Sequence, residues 1–168
     1  SDASLRQAFW QGARGVDVAL IEANHGLYDS STAGPDDPDV GQGSSAALAR
    51  LLQTPILLVV NAARMGRSVA AMVHGYQTFE PGTPIAGVVL NNVAQGRHQA
   101  KLRAAIEQYC GLPVLGAFPR LSEMEIPDRH LGLVPQGEDS RLHPALQACQ
   151  RAAETYLDLA NNLSIARA

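Results

Sequence analysis

The sequence has 168 residues, of which 46% are hydrophobic, and a formal net charge of −3, which together predict one globular domain with a sizeable core. No basic stripe indicates a nucleic-acid partner, and no apolar stretch approaches the ~20 residues that span a bilayer. The N-terminus has no signal-peptide pattern, and Cys110 and Cys149 lack a metal-ligand spacing, so we expect free thiols in the reducing cytoplasm.

Helical and strand patterns alternate along the chain. In the first half they predict a helix over 3–13, a strand over 16–23, a polar loop over 30–43, a helix over 44–53 capped by Ser44 or Ser45, a strand over 55–62 and a helix over 66–79. In the second half they predict a strand over 84–93, a helix over 97–110, strands over 113–119 and 131–136, and a long helix with apolar positions at Leu146, Cys149, Ala153, Tyr156, Ala160 and Leu163. This alternation is typical of an open, mostly parallel α/β sheet flanked by helices, so we expect residues 1–168 to form a single α/β domain.

Polar residues follow the first predicted strand, at the edge where such sheets bind ligands. Glu22 could hold a hard cation such as Mg²⁺, or it could cap a helix or face water. Asp29 fits a metal ligand, a base or a turn residue, and its position alone favours the turn. His25 fits a ligand or an acid–base group, although a lone loop histidine is more often neither.

The later strand ends carry further candidates. Asn61 precedes the helix that begins near Gly66, Arg67 and Ser68, whose N-terminal amides favour an anion or form an ordinary loop. Asn91 and Asn92 offer donors and acceptors for the edge of a base, or else satisfy loop backbone groups. The charged residues between the last two predicted strands fit either a functional or a solvated loop: Glu123, Glu125, Asp128, Arg129 and His130.

The chain resembles the cobyrinic acid a,c-diamide synthase family, a group of dethiobiotin-synthetase-like P-loop NTPases. The two most specific runs are E-x-x-x-G-L-Y-D at 22–29 and P-x-R-H-L-G-L at 127–133. Between them, in the same order as in the family, lie VVNAARMGRSVAAMVHGY, IAGVVLNNV and LPVLGAFPR. The resemblance is collinear over residues 16–138.

This resemblance implies a ligase that uses ATP and Mg²⁺ to activate tetrapyrrole carboxylates as acyl phosphates. Ammonia released from glutamine by a glutaminase domain of the same longer chain would then form the amide. The implied roles are a Mg²⁺ ligand at Glu22, a catalytic carboxylate at Asp29, and nucleotide binding at Asn91 and Pro119. We also expect substrate binding at His25, Tyr28, Arg129 and His130. A homodimer is compatible with the sequence.

The chain also departs from the family pattern. Ala23, Asn24 and His25 replace small and apolar residues, Ser30 replaces a glycine, and Asn92 stands where arginine is common, so a sirohaem- or sirohydrochlorin-type macrocycle competes with the corrin precursor as substrate. No GxxxxGK[ST] loop and no glutaminase cysteine are present, so we expect part of a larger synthetase domain that is inactive alone. A partitioning-type P-loop ATPase and a nucleotide-free binding domain are the alternatives from other classes.

Overall fold

The structure, a computed structural model, describes residues 1–23, 25–30, 41–124, 128–129, 132–133 and 142–167. Within them the helices are α1 (Asp2–Gly12), α2 (Ser45–Leu52), α3 (Ser68–Phe79), α4 (Arg97–Cys110), α5 (Leu142–Tyr156) and α6 (Leu159–Ala166), with a 3-10 turn at Ser122–Met124. The strands are β1 (Ile56–Asn61), β2 (Ile85–Asn91), β3 (Val114–Ala117), β4 (Asp128–Arg129) and β5 (Gly132–Leu133). None of the helices in these ranges is long and apolar enough to cross a membrane.

The main sheet is parallel, with the strand order β1-β2-β3. Parallel neighbours need a crossover connection, which α3 supplies between β1 and β2 and α4 supplies between β2 and β3. The central strand β2 is almost continuously apolar, as expected for a strand that is covered on both faces. Val88 and Leu90 are fully buried in it, so the predicted open α/β sheet is confirmed.

The core lies between this sheet and the two crossover helices. Its largest fully buried side chains are Val69 and Val73 of α3, Leu102 and Ile106 of α4, and Val88 and Leu90 of β2. Because α3 and α4 bury residues spaced three or four apart, the helical periodicity in the sequence correctly predicts both helices. The core therefore fixes where β1, β2 and β3 end and where their following loops begin.

The predicted strand over 16–23 is wrong. These residues form no sheet pairing, and Val16 and Leu20 are 53% and 89% exposed. Together with Phe9, Gly12 and other residues of α1, the segment lines an open apolar groove. An apolar run describes only the side chains, whereas a strand also needs a hydrogen-bonding neighbour, and no strand in the described residues lies beside this segment.

The two C-terminal predictions have different outcomes. Of the predicted strand over 131–136, the structure describes Gly132–Leu133, which pairs antiparallel with β4 outside the main sheet, and residues 131 and 134–136 lie outside the described ranges. The predicted long helix is divided into α5 and α6, because the Leu157 backbone bridges to Gly116 and Asp158 caps α6 through Asn161 N at 3.1 Å.

The predicted buried face of the last helix is wrong by one position. Alanines at 145, 148 and 152 are buried in α5, whereas Leu146 is 44% exposed. The sequence pattern favours the larger apolar side chains, but the packed face consists of small residues, which permit a close approach of the helix.

Candidate functional site

Three asparagines connect the carboxyl ends of β1 and β2. The Oδ1 atom of Asn61 accepts hydrogen bonds from Ala63 N and from Asn92 Nδ2, both at 3.2 Å. Asn91 Oδ1 accepts from Asn92 N at 2.9 Å, and Asn91 O accepts from Ala62 N at 2.8 Å. These bonds join two loops that are 31 residues apart in the chain, so the ends of β1 and β2 form one surface.

A cavity of about 250 Å³ opens beside this surface. It is lined by Asn91, Asn92, Phe118, Pro119, Arg120, Leu121 and Met124. The Phe118 ring contacts Tyr156 of α5, with ring centroids 5.8 Å apart, and Phe118 O accepts from Val93 N at 2.9 Å. A cavity that combines asparagine amides, an aromatic ring and an arginine can bind a flat, polar heterocycle with a negatively charged substituent.

The structure therefore brings together the two predicted nucleotide residues. Asn91 and Pro119, which are 28 positions apart in the sequence, line the same cavity because β2 and β3 are adjacent and parallel. Asn91 Oδ1 is already used by Asn92 N, which leaves the Nδ2 group as the donor for a ligand. The lining residues Arg120, Leu121 and Met124 were missed by the sequence analysis, although their position directly after Pro119 is a signal that could have found them.

The loop after β1 contains the predicted anion site at Gly66, Arg67 and Ser68. Arg64 has a left-handed φ of 59°, and the guanidinium carbon of Arg67 lies 5.9 Å from the centre of the Tyr109 ring, at the far end of α4. Arg67 is thus engaged in a cation–π contact. The predicted anion site at Gly66, Arg67 and Ser68 stays a prediction.

The loop that carries Asp29 is held as a tight turn. Asp29 Oδ2 accepts from Gly26 N at 3.0 Å, and Asp29 N donates to Gly26 O at 3.0 Å. A Cβ atom at Gly26 would lie 2.5 Å from Asp29 Oδ2, so a side chain at that position would displace the Asp29 carboxylate. The prediction that Asp29 is a turn residue, which its position alone favoured, is correct. The Asp29 carboxylate is exposed, and its Oδ1 atom remains available to other partners.

Tyr28 anchors the same loop to α3. Its hydroxyl donates to Tyr76 O, its ring stacks on Tyr76 with centroids 6.0 Å apart, and it tilts against Phe79 at 4.9 Å. Leu27 packs against the core, and Leu27 O accepts from Ala46 N at 3.0 Å. Tyr28 therefore has a packing role in this structure, and its predicted contact with substrate stays a prediction.

Glu22 and His25 are exposed, and Glu22 lies in the segment that forms no strand. Across the described part of the chain, no group of three or more His, Cys, Asp or Glu side chains is placed to hold a metal ion. The side chain of Arg129 and the whole of His130 lie outside the described residues. The predicted roles of these four residues stay predictions.

Cys110 can be set aside as a reactive group. Burial raises the pKa of its thiol, and Sγ donates to Ala70 O at 3.3 Å. A thiol that is kept protonated inside the protein is a poor nucleophile. This agrees with the expectation that Cys110 is a free, structural cysteine.

His98 is a functional candidate that the sequence analysis missed. It lies in the first turn of α4, and its two ring nitrogens bond to the loops after β1 and β2. The available signal was a histidine just after Gly96, at the start of the helix that follows Asn91 and Asn92. Only the folded arrangement shows that its ring reaches both loops.

Comparison with known proteins gives consistent matches. Residues 3–134 match the family model described as the CobQ/CobB/MinD/ParA nucleotide binding domain. The chain is 43% identical over 95% of its length to a cobyrinate a,c-diamide synthase of Magnetococcus marinus, covering 33% of that protein. It is 47% identical over 77% of its length to a hydrogenobyrinate a,c-diamide synthase of Streptomyces coelicolor, covering 26% of that protein.

A third relative is a cobyrinate a,c-diamide synthase of Archaeoglobus fulgidus, which is 38% identical over 99% of the chain and 35% of the relative. The chain thus spans about a quarter to a third of the length of these curated relatives. No solved structure matches it.

Proposed function

Because the chain belongs to the CobQ/CobB/MinD/ParA nucleotide binding domain family, we propose that the full-length protein uses ATP to convert tetrapyrrole carboxylates into amides. The observation that carries this proposal is the cavity at the carboxyl ends of β2 and β3, which is lined by Asn91 and Pro119. It occurs in a chain whose relatives are named cobyrinate and hydrogenobyrinate a,c-diamide synthases. Nucleotide binding at a strand-end cavity is the expected arrangement for an open α/β sheet.

The proposed chemistry has two steps. A substrate carboxylate oxygen attacks the γ-phosphorus of ATP, forming an acyl phosphate and releasing ADP. Ammonia derived from glutamine then attacks the acyl carbon, the carbon–oxygen bond to phosphate breaks, and the nitrogen loses a proton to leave the amide. Because phosphoryl transfer depends mainly on positioning and charge neutralisation, the protein has to orient ATP beside the carboxylate.

The residues of this chain divide these tasks. Asn91 Nδ2 would donate to the adenine edge, and Phe118 and Pro119 would flank the base. Glu22 would hold the Mg²⁺ that accompanies ATP and neutralises charge on its phosphates. One exposed carboxylate fits such an ion, since Mg²⁺ keeps several waters and usually takes one or two protein carboxylates.

Asp29 would act on the substrate side. Its Oδ2 atom is fixed by Gly26 N, which orients the carboxylate without neutralising it. Tyr28 supports the same turn by packing against α3. A carboxylate held in this way could guide ammonia or accept its proton during amide formation.

The test is amide formation by the full-length protein with ATP and glutamine. Cobyrinate, hydrogenobyrinate and sirohydrochlorin are offered separately, and mass spectrometry detects replacement of a carboxyl hydroxyl by an amino group. Amidation of sirohydrochlorin alone would favour the alternative macrocycle. ATP hydrolysis without amidation of any of the three would favour a partitioning-type ATPase and contradict the proposal.

Two charge-removing variants test the residue roles. Glu22→Gln is expected to lower kcat/KM on the order of 100-fold, the scale of losing one electrostatic contact in a phosphoryl or acyl transfer site. Asp29→Asn keeps an oxygen acceptor for Gly26 N, so a loss of similar size would reflect the missing charge rather than a lost turn. Asp17→Asn, an exposed neighbour in the same segment as Glu22, is the matched control and is expected to leave activity unchanged.

A further inference from the structure

We propose that His98 is a positioning residue that holds the loop after β1 against the loop after β2 and so shapes the nucleotide cavity. The half-buried ring bonds to two backbone groups in different loops. Nδ1 accepts from Ala94 N at 3.1 Å, and Nε2 lies 2.6 Å from Met65 O. The proposal rests on the nucleotide-binding role of the cavity proposed above.

The two partners define the protonation state of the ring. A backbone N–H can only donate, so Nδ1 must be an acceptor, and a carbonyl oxygen can only accept, so Nε2 must carry the hydrogen. These two bonds fit the tautomer that carries its hydrogen on Nε2. Neither the cation nor the other tautomer satisfies both bonds, because each would direct an Nδ1 hydrogen at the Ala94 N–H.

The loops held by His98 contain two backbone positions that side chains rarely adopt. Arg64, next to Met65, has a φ of 59°, and Asn92, two residues before Ala94, has a φ of 58°. Left-handed backbone at residues other than glycine persists only where its surroundings enforce it. The His98 bonds supply part of that constraint immediately beside both residues.

Asn92 connects the two loops that His98 bridges to the cavity. It lines the cavity wall, and its Nδ2 atom donates to Asn61 Oδ1 at 3.2 Å, which ties the loop after β2 to the end of β1. If the His98–Met65 bond is lost, the two loops stay joined, among the described residues, by the bonds from Asn92 Nδ2 to Asn61 Oδ1 and from Ala62 N to Asn91 O. The cavity wall can then rearrange while the core of Val88, Leu90 and Leu102 stays packed, because His98 is not a core residue.

The experiment compares two amide replacements of His98 in the full-length protein. Asparagine places an acceptor near the position of Nδ1 but cannot reach Met65 O, whereas glutamine places a donor near the position of Nε2. His98→Asn should weaken binding of Mg-ADP about five- to tenfold, the effect of one lost hydrogen bond to a backbone carbonyl. His98→Gln should stay within about twofold of the unchanged protein, and so should the control His74→Gln on the exposed side of α3.

Dissociation constants from calorimetry are combined with steady-state kinetics and urea unfolding. A positioning role predicts that His98→Asn raises KM for ATP more than it lowers kcat, with a loss of unfolding free energy no larger than that of one hydrogen bond, about 1 kcal/mol. Equal binding by His98→Asn and the unchanged protein would overturn the proposal. So would a loss in His98→Gln as large as the loss in His98→Asn, because the Met65 bond would then not be the determining contact.

Nitrogen-15 NMR of the histidine rings gives a readout that does not depend on activity. The expected pattern near neutral pH is a His98 ring with its hydrogen on Nε2. A ring with a hydrogen on Nδ1, or on both nitrogens, would refute the bridging role of His98 while leaving the proposed function intact. Failure of the unchanged protein to bind Mg-ADP would refute the proposed nucleotide site itself. The inference about the cavity would fall with it, even if the NMR pattern of the ring were as expected.

Discussion

Replacing Gly116 by alanine should detach the junction between α5 and α6 from the sheet. Gly116 lies in β3, where Leu157 approaches it closely enough to form an isolated β-bridge. The adjacent Asp158 N donates to Leu115 O at 2.8 Å. This contact is what divides the C-terminal segment into two helices, so it is a sensitive point of the fold.

The expected magnitude follows from the space around Gly116. A Cβ atom there would lie 2.5 Å from Leu157 Cδ2 and 3.0 Å from Tyr156 O. Overpacking of this kind costs about 1–3 kcal/mol, and weakening the Asp158–Leu115 hydrogen bond adds about 1 kcal/mol. We therefore expect Gly116→Ala to lower the free energy of unfolding by about 2–4 kcal/mol.

Urea unfolding followed by far-ultraviolet circular dichroism measures this change. Adding Leu157→Ala removes Cδ2 but leaves Tyr156 O in place, so the double variant should recover part of the loss, with a coupling energy of about 1 kcal/mol. The control Gly75→Ala lies in the interior of α3 with nothing within 4 Å of its added Cβ, and it should stabilise the protein by roughly 0.5–1 kcal/mol. Additive effects of the Gly116 and Leu157 changes, or a Gly116→Ala variant as stable as the unchanged protein, would refute this reasoning.

Two further predictions concern a helix cap and a half-buried thiol. Ser44→Ala should lower the free energy of unfolding by about 1–2 kcal/mol, because the buried Ser44 Oγ accepts from Ala47 N at 3.1 Å; Ser45→Ala is the control, and equal urea midpoints for the two variants would contradict the cap. In a Cys149→Ser background, iodoacetamide should alkylate Cys110 more slowly than it alkylates a cysteine peptide with a pKa of roughly 8.5. Burial raises the pKa of the Cys110 thiol, so at a given pH a smaller fraction of Cys110 is the reactive thiolate. A pH–rate curve that coincides with that of the peptide would show that Cys110 is not protected.

The sequence predicts the elements whose neighbours follow directly in the chain. β1, β2 and β3 are short apolar runs separated by helices, and α3 and α4 show three- and four-residue spacing. Each pattern is local, and each strand pairs with the next one in sequence, so no distant information is required. For the same reason the strand-end positions of Asn91 and Pro119 were found correctly.

The errors arise where the outcome depends on a distant partner. Residues 16–23 have the composition of a buried strand, but no strand in the described residues pairs with them, and Leu20 is exposed. The last helix has continuous apolar spacing, yet it is interrupted because Leu157 meets Gly116 of β3, 41 positions earlier in the chain. Periodicity indicates which side chains are apolar, but it does not indicate whether a hydrogen-bonding edge is available to them.

The sequence by itself determined the parallel α/β sheet, the family and the polar residues at the strand ends, because these depend on local pattern and on short motifs. Only the tertiary structure decided how those residues are used. It commits Asp29 to a turn with Gly26, joins Asn61 to Asn92, and places the ring of His98 between two loops. The loop-to-loop contacts are set by the packing of β1, β2 and α4, and hydrogen-bond geometry between loops about 30 residues apart follows from that packing rather than from any local preference of the chain.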